Sequence, residues 1–178
     1  MYRICLTGHR PKDVAQYMKS GSDIYSMSNP YWERVIGRLC AIIRDQLNQH
    51  PEGLELHSGL ALGADTAWAF AIVLAHKHFG SDLIRFIADC PLPTQASRWS
   101  AESRKIWQEL INTADRVDYT SQGPYTPSVM ERRNQQMILP SDLCIAFWNG
   151  KTYGGTYNGV RDAKGAGIPI LRVDPAQI

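Results

Sequence analysis

The six apolar residues Leu143-Cys144-Ile145-Ala146-Phe147-Trp148 leave no side on which water could lie. A strand with one solvated face alternates apolar and polar side chains; a strand buried on both faces does not. The run therefore predicts a central parallel strand covered by helices on each side. Tyr2–Leu6, Leu54–His57, Leu83–Ile87, Arg116–Tyr119 and Ile168–Val173 are the other strand candidates. Between them lie segments with helical spacing or composition: Tyr31–Asn48, the alanine-rich Ala64–Phe79, Ser97–Thr113, Val129–Leu139 and Thr156–Ala166. Residues Pro11 to Pro30 read as a long polar loop. Strands alternating with helices predict an α/β, Rossmann-like doubly wound fold, with a mostly parallel sheet and helices on both faces.

At 178 residues the chain suits one domain. With 44% hydrophobic and 20% charged residues it has the composition of a folded globule. A formal net charge of +2 excludes a strongly basic grip on nucleic acid, though not a local basic patch. No apolar stretch is long enough for a transmembrane helix, and the apolar N-terminal run is too short for a signal-peptide core. A cytoplasmic location is expected. Cys5, Cys40, Cys90 and Cys144 lack paired spacing and read as reduced thiols. The histidines are equally scattered, so neither a metal site nor a bound cofactor is expected.

In an open α/β sheet, ligands bind beyond the carboxyl ends of the strands. Four strand ends here carry unusual loops. The first is Thr7-Gly8-His9-Arg10-Pro11, in which Arg10 can clamp phosphate and His9 can act as acid, base or stacking ring. The second runs from Ser58-Gly59 to Gly63-Ala64-Asp65; it suits a backbone nest, with Asp65 either capping the helix or meeting the ligand. The third is Asp89-Cys90-Pro91-Leu92-Pro93, followed by Gln95 and Trp99. The fourth, Gly154-Gly155-Thr156, opens a helix, where free N–H groups and the helix dipole favour an oxyanion. Arg132-Arg133-Asn134 supplies a second cationic candidate. Trp99 and Trp107 share a helical face and suit either a core or a stacking role.

Taken in order and spacing, these loops resemble the YpsA-like branch of the SLOG superfamily. That superfamily also holds the LOG phosphoribohydrolases and the DNA-processing protein DprA. The resemblance extends to Ser141-Asp142 before the apolar strand, to Tyr157-Asn158 after Thr156, and to Pro91-Leu92-Pro93-Thr94-Gln95 with Trp99. It implies a Rossmann-like fold, a nucleotide-type ligand at the glycine-rich loops and frequent homodimers. LOG enzymes cleave the N-glycosidic bond of a nucleoside monophosphate. They use an Arg in a segment similar to Met130-Glu131-Arg132-Arg133…Met137, so Arg132 and Arg133 are both candidates. They also use a Glu two residues after the loop Thr, and Asn158 stands at that position here. An amide cannot ionise, so Asn158 cannot serve as a general base, though it can hydrogen-bond a ribose or phosphate.

Three functions follow as expectations. The first is a nucleotide-binding protein, with an NAD-derived or ADP-ribose-type signal among the candidate ligands and Thr7, Gly8, His9, Arg10, Ser58, Gly59, Gly63, Asp65, Pro91, Gln95, Trp99, Arg133, Asn134, Gly154, Gly155, Thr156 and Asn158 around it. The second is a nucleotide N-glycosidase with a relocated carboxylate, Asp65, Asp89 or Glu102, assisted by Arg133. The third is single-stranded DNA binding, which the near-neutral charge opposes.

Overall fold

The computed structural model describes residues 1–178. Six strands form one sheet: β1 (Tyr2–Gly8), β2 (Leu54–Ser58), β3 (Ile84–Cys90), β4 (Arg116–Tyr119), β5 (Leu143–Phe147) and β6 (Ile170–Val173). They stand in the order β4-β3-β2-β1-β5-β6, and every neighbouring pair is parallel. The helices are α1 (Pro11–Val14), α2 (Pro30–Gln49), α3 (Ala64–Phe79), α4 (Ala101–Thr113), α5 (Pro127–Ile138) and α6 (Gly155–Gly165).

Residues paired in a parallel ladder share a face. Ile4 stands beside Leu56 and Leu143, and Leu56 beside Phe86. This face packs against α2, α3 and α4 through Trp32, Val35, Leu39, Trp68, Ile72 and Trp107 in the main core. Full burial of each large apolar side chain contributes roughly 1.5–3 kcal/mol before entropic costs. On the other face Cys5 stands beside Cys144 and packs against Met137 and Ile138 of α5 and Ala163 of α6. Helices therefore cover both faces, as the alternation predicts. The apolar run is buried along the strand, where Cys144, Ile145, Ala146 and Phe147 are fully inaccessible, whereas Trp148 lies just past the strand and is half-buried.

The second face is polar at β2. His57 is fully buried there, with Nε2 2.9 Å from Glu55 Oε1 and Nδ1 2.7 Å from Asp89 Oδ2. Asp89 is thus committed to one nitrogen of a buried imidazole whose other nitrogen meets Glu55. The alanines of α3 have a packing reason. They let the helix lie close against β1, where a Cβ on Gly8 would collide with that of Ala64.

Several limits differ from the sequence expectation: β3 runs on through Asp89 and Cys90, which read as loop, and two further differences bear on the site. The stretch from Pro11 to Pro30 is not all loop: it opens with α1 and a 3-10 turn at Ala15–Tyr17. Pro11 sits at the first helical position and Asp13 accepts the Arg10 N–H, so two local signals nucleate this turn. Helix α4 starts at Ala101 rather than Ser97, because Ser100 caps it by accepting the Ser103 N–H at 3.1 Å. Trp99 consequently lies before the helix, in a turn.

The strand order makes β1 the hinge of the topology. Strands β2, β3 and β4 step away from it on one side; the chain then returns through α5 to place β5 and β6 on the other. A crevice opens beyond the carboxyl ends of strands at such a reversal, here between β1 and β5.

Candidate functional site

A cleft of about 330 Å³ lies at this reversal. It is lined by the end of β1 and its loop, the start of α3, the inner side of α5, and the loop and first turn of α6. Its volume is at the lower end of the range for small-molecule sites.

The loop after β1 is held by its backbone. The His9 N–H donates to the Phe147 carbonyl at 3.2 Å, and the His9 carbonyl accepts the Ala64 N–H at 3.1 Å. The His9 ring is buried and accepts the Asn149 N–H on Nε2 at 3.0 Å. That bond requires an unprotonated Nε2, so a neutral ring carries its proton on Nδ1, 3.4 Å from Thr156 Oγ1. Burial holds the imidazole below its ordinary pKa, in line with the neutral form. His9 thereby ties the loops after β1 and β5 to the start of α6. Arg10 follows it, exposed at the cleft wall.

Arg133 projects from α5 into the cleft. Its side chain is only 4% exposed, and Nη1 lies 3.4 Å from Asp65 Oδ2. Its Nε is buried without a partner. Gly59 explains how the guanidinium reaches this place: a Cβ there would occupy the position of Nη1. Arg132, the alternative by sequence, is exposed and points to a different part of the surface. Burial raises the Asp65 pKa above the usual carboxylate value, opposed by the nearby Arg133 and Arg10 charges.

At the opposite wall, α6 begins with Gly154 as its N-cap, and no side chain caps the helix. The first N–H groups of a helix have no intrahelical partner, so this end can receive an anion. Gly154 and Gly155 are exposed, and a Cβ built on either meets nothing within 4 Å. Lys151, from the same loop, reaches Asp13 at 3.6 Å. The cleft thus gathers Arg10, Lys151, Arg133 and an uncapped helix N-terminus against the carboxylates Asp13 and Asp65. Anion binding is the chemistry this set offers. No three His, Cys, Asp or Glu side chains form a metal-ligating group.

Of the residues expected from the sequence, Thr7, Gly8, His9, Arg10, Asp65, Arg133, Asn134, Gly154, Gly155 and Thr156 line this one cleft. The others stand elsewhere. Ser58 Oγ donates to the Asp65 carbonyl at 2.8 Å and accepts the Leu60 N–H at 3.2 Å, so its hydroxyl braces the turn. Gly63 sits against the backbone of His9. Gln95 donates to the Gly59 carbonyl at 3.0 Å and accepts the Trp107 indole N–H at 3.1 Å. Pro91 is buried, and Trp99 packs in a narrow apolar crevice with Trp107, Leu60 and Leu62. Asn158 and Glu102 are exposed away from the cleft, Glu102 in the first turn of α4. Asp13, Tyr125, Lys151 and Tyr153 line the cleft without having been singled out. Lys151 and Tyr153 lie inside the glycine-rich turn, so proximity to Gly154 was a usable signal; Tyr125 and Asp13 had none.

No helix is long and apolar enough to cross a membrane. The chain is 27% identical over 150 residues to the SPbeta prophage-derived protein YoqJ of Bacillus subtilis, covering 78% of this chain and 85% of that one. It is 25% identical over 153 residues to the UPF0398 protein BH1768 of Halalkalibacterium halodurans, covering 82% and 71% respectively. Among solved structures, DNA processing protein A from Helicobacter pylori, described in its single-stranded DNA binding mode, superposes with a TM-score of 0.59 at 17% identity. DprA from Streptococcus pneumoniae superposes with a TM-score of 0.60 at 15% identity. These superpositions span 97% and 98% of this chain but only 65% and 50% of the two DprA chains, and they speak for the fold alone. The model of the YspA SLOG family, YpsA, matches residues 4–166, and the chain belongs to that family.

Proposed function

We propose that this protein binds a nucleotide, with phosphate seated between the α6 N-terminus and the guanidinium groups of Arg133 and Arg10. The observation that carries the reading is Arg133: a guanidinium admitted by Gly59, on a residue that lines an open cleft, with Asp65 at 3.4 Å as its one side-chain partner. A guanidinium fork keeps N–H donors beyond a single ion pair, and an incoming anion suits them as a further acceptor. Asp65 balances only part of the cationic charge, and its raised pKa lessens its opposition to an anion.

A second reading has its own support. Asp65 lines the cleft, and a carboxyl whose pKa is raised by burial suits a general acid. In an N-glycosidase it would deliver its proton to the departing base. The Helicobacter neighbour binds single-stranded DNA. A formal net charge of +2 gives this chain little general attraction for a polyphosphate backbone, so the small nucleotide is the favoured ligand.

The test is incubation of the purified protein with pooled AMP, NAD, ADP-ribose and cyclic nucleotides, followed by mass spectrometry of retained and released species. An intact retained nucleotide supports binding. Free base that accumulates with wild type and not with Asp65→Asn supports hydrolysis. Retention of nothing across the pool contradicts the nucleotide reading.

A further inference from the structure

The inner wall of the cleft is cationic, whereas its mouth is aromatic. Tyr125 is 63% exposed and Tyr153 69% exposed, the highest values among the large apolar and aromatic side chains left in water. Both line the cleft, from separate loops: Tyr125 just before α5 and Tyr153 just before α6. Single exposed aromatic side chains need no explanation, but two lining one opening call for one. Neither packs on either hydrophobic core cluster, so the fold itself assigns them no role. Lys151 Nζ lies 5.3 Å from the centre of the Tyr153 ring, placing a cation beside the aromatic face.

Resting on the nucleotide reading above, we infer that Tyr125 and Tyr153 form a stacking subsite for the ligand's base. The phosphate enters first, toward Arg133 and the start of α6, and the heterocycle remains at the mouth against the tyrosine rings. Stacking on a ring face tolerates any base, so the subsite selects for the presence of a nucleobase more than for its identity. The ligand class is a phosphorylated nucleoside, as distinct from a sugar phosphate or inorganic phosphate, which would leave both rings unused.

Isothermal titration with AMP, GMP, CMP, UMP, ribose 5-phosphate and a deoxythymidine oligonucleotide tests this. Wild type is expected to bind each of the four nucleotides about tenfold or more tighter than ribose 5-phosphate, the advantage of one stacked base. The double variant Tyr125→Ala with Tyr153→Ala should lose that advantage and keep its affinity for ribose 5-phosphate. The double variant Tyr125→Phe with Tyr153→Phe should retain it, because a ring face and not a hydroxyl is at work. Both positions are exposed, so circular dichroism should show unaltered folding. Equal affinity for nucleotide and ribose 5-phosphate, or an advantage that survives the double alanine change, would overturn the stacking subsite and leave phosphate binding intact. Binding of the oligonucleotide alone would overturn it in favour of a nucleic-acid path. No binding by any of the six ligands would overturn both the subsite and the nucleotide reading.

Discussion

The turn from β2 into α3 and the turn from β5 into α6 read alike, as Ser58-Gly59 to Gly63-Ala64 and as Asn149-Gly150 to Gly154-Gly155. Their glycines do opposite things. In the first turn the space a side chain would need is taken by the protein itself: by Arg133 over Gly59, and by the His9 carbonyl 2.7 Å from a Cβ at Gly63. Ser58 and Gln95 then close the turn with hydrogen bonds to the Asp65 and Gly59 carbonyls. In the second turn nothing stands near Gly154 or Gly155, no side chain caps the helix, and both residues are exposed. Glycine permits close approach in either case. Whether the approaching group is the chain or a ligand depends on what else folds into that space.

Variants at the two turns should therefore separate stability from binding. The largest effect is expected at Gly63, whose φ of +96° is strained for any other residue, quite apart from the His9 carbonyl. Gly63→Ala should lower unfolding stability by about 3 kcal/mol in urea titrations. A change under about 0.5 kcal/mol, the size of an ordinary surface substitution, would show that the first turn is not packed as described. Arg133→Met comes next. It should weaken nucleotide binding by about tenfold to a hundredfold, the range for a hydrogen bond to a charged group. Calorimetry giving wild-type affinity would remove Arg133 from the site.

Gly155→Ala sharpens the contrast most, because its effects should divide. Its φ is ordinary and the space around it is open, so stability should stay within about 0.5 kcal/mol of wild type. Its methyl group would stand where the phosphate approaches, and affinity should fall about threefold to tenfold. Equal losses at both levels would mean that the α6 turn is packed like its counterpart.

The smallest effect concerns pH. Burial raises the Asp65 pKa, so the folded state holds that proton more tightly than the unfolded chain does. This contribution is fully present below the unfolded value, near about pH 4, and is lost as pH rises through the folded value. The stability of wild type relative to Asp65→Asn should therefore decline from pH 4 upward. Urea midpoints for the two proteins that move in parallel across that range would contradict the burial argument.

Strand positions were legible because a both-faces-buried strand leaves an unbroken apolar run, as at Leu143–Phe147, and helices because their buried residues recur with the helical period, as in α2. Helix α1 was not, since four residues beginning with a proline show no periodicity. In the site, the glycines and Arg10 could be read from their place at strand ends. The choice between Arg132 and Arg133 could not, because neighbouring residues on a helix differ only in which face meets the protein. Trp99 and Gln95 were drawn toward the ligand by their loop, yet their partners lie across the chain, at Leu60 and Gly59. Such pairings are tertiary and leave no local mark. Tyr125 escaped notice for the converse reason: a tyrosine in a loop is ordinary until the fold brings it to the same cleft as a second one, Tyr153.

The most direct test of the account is amide NMR on isotopically labelled protein titrated with AMP. The account predicts that the Gly154, Gly155 and Thr156 amides shift most, together with the Arg133 side-chain N–H, while the Ser58–Leu62 amides move little. Dominant shifts at Ser58–Leu62, or none at the start of α6, would contradict it.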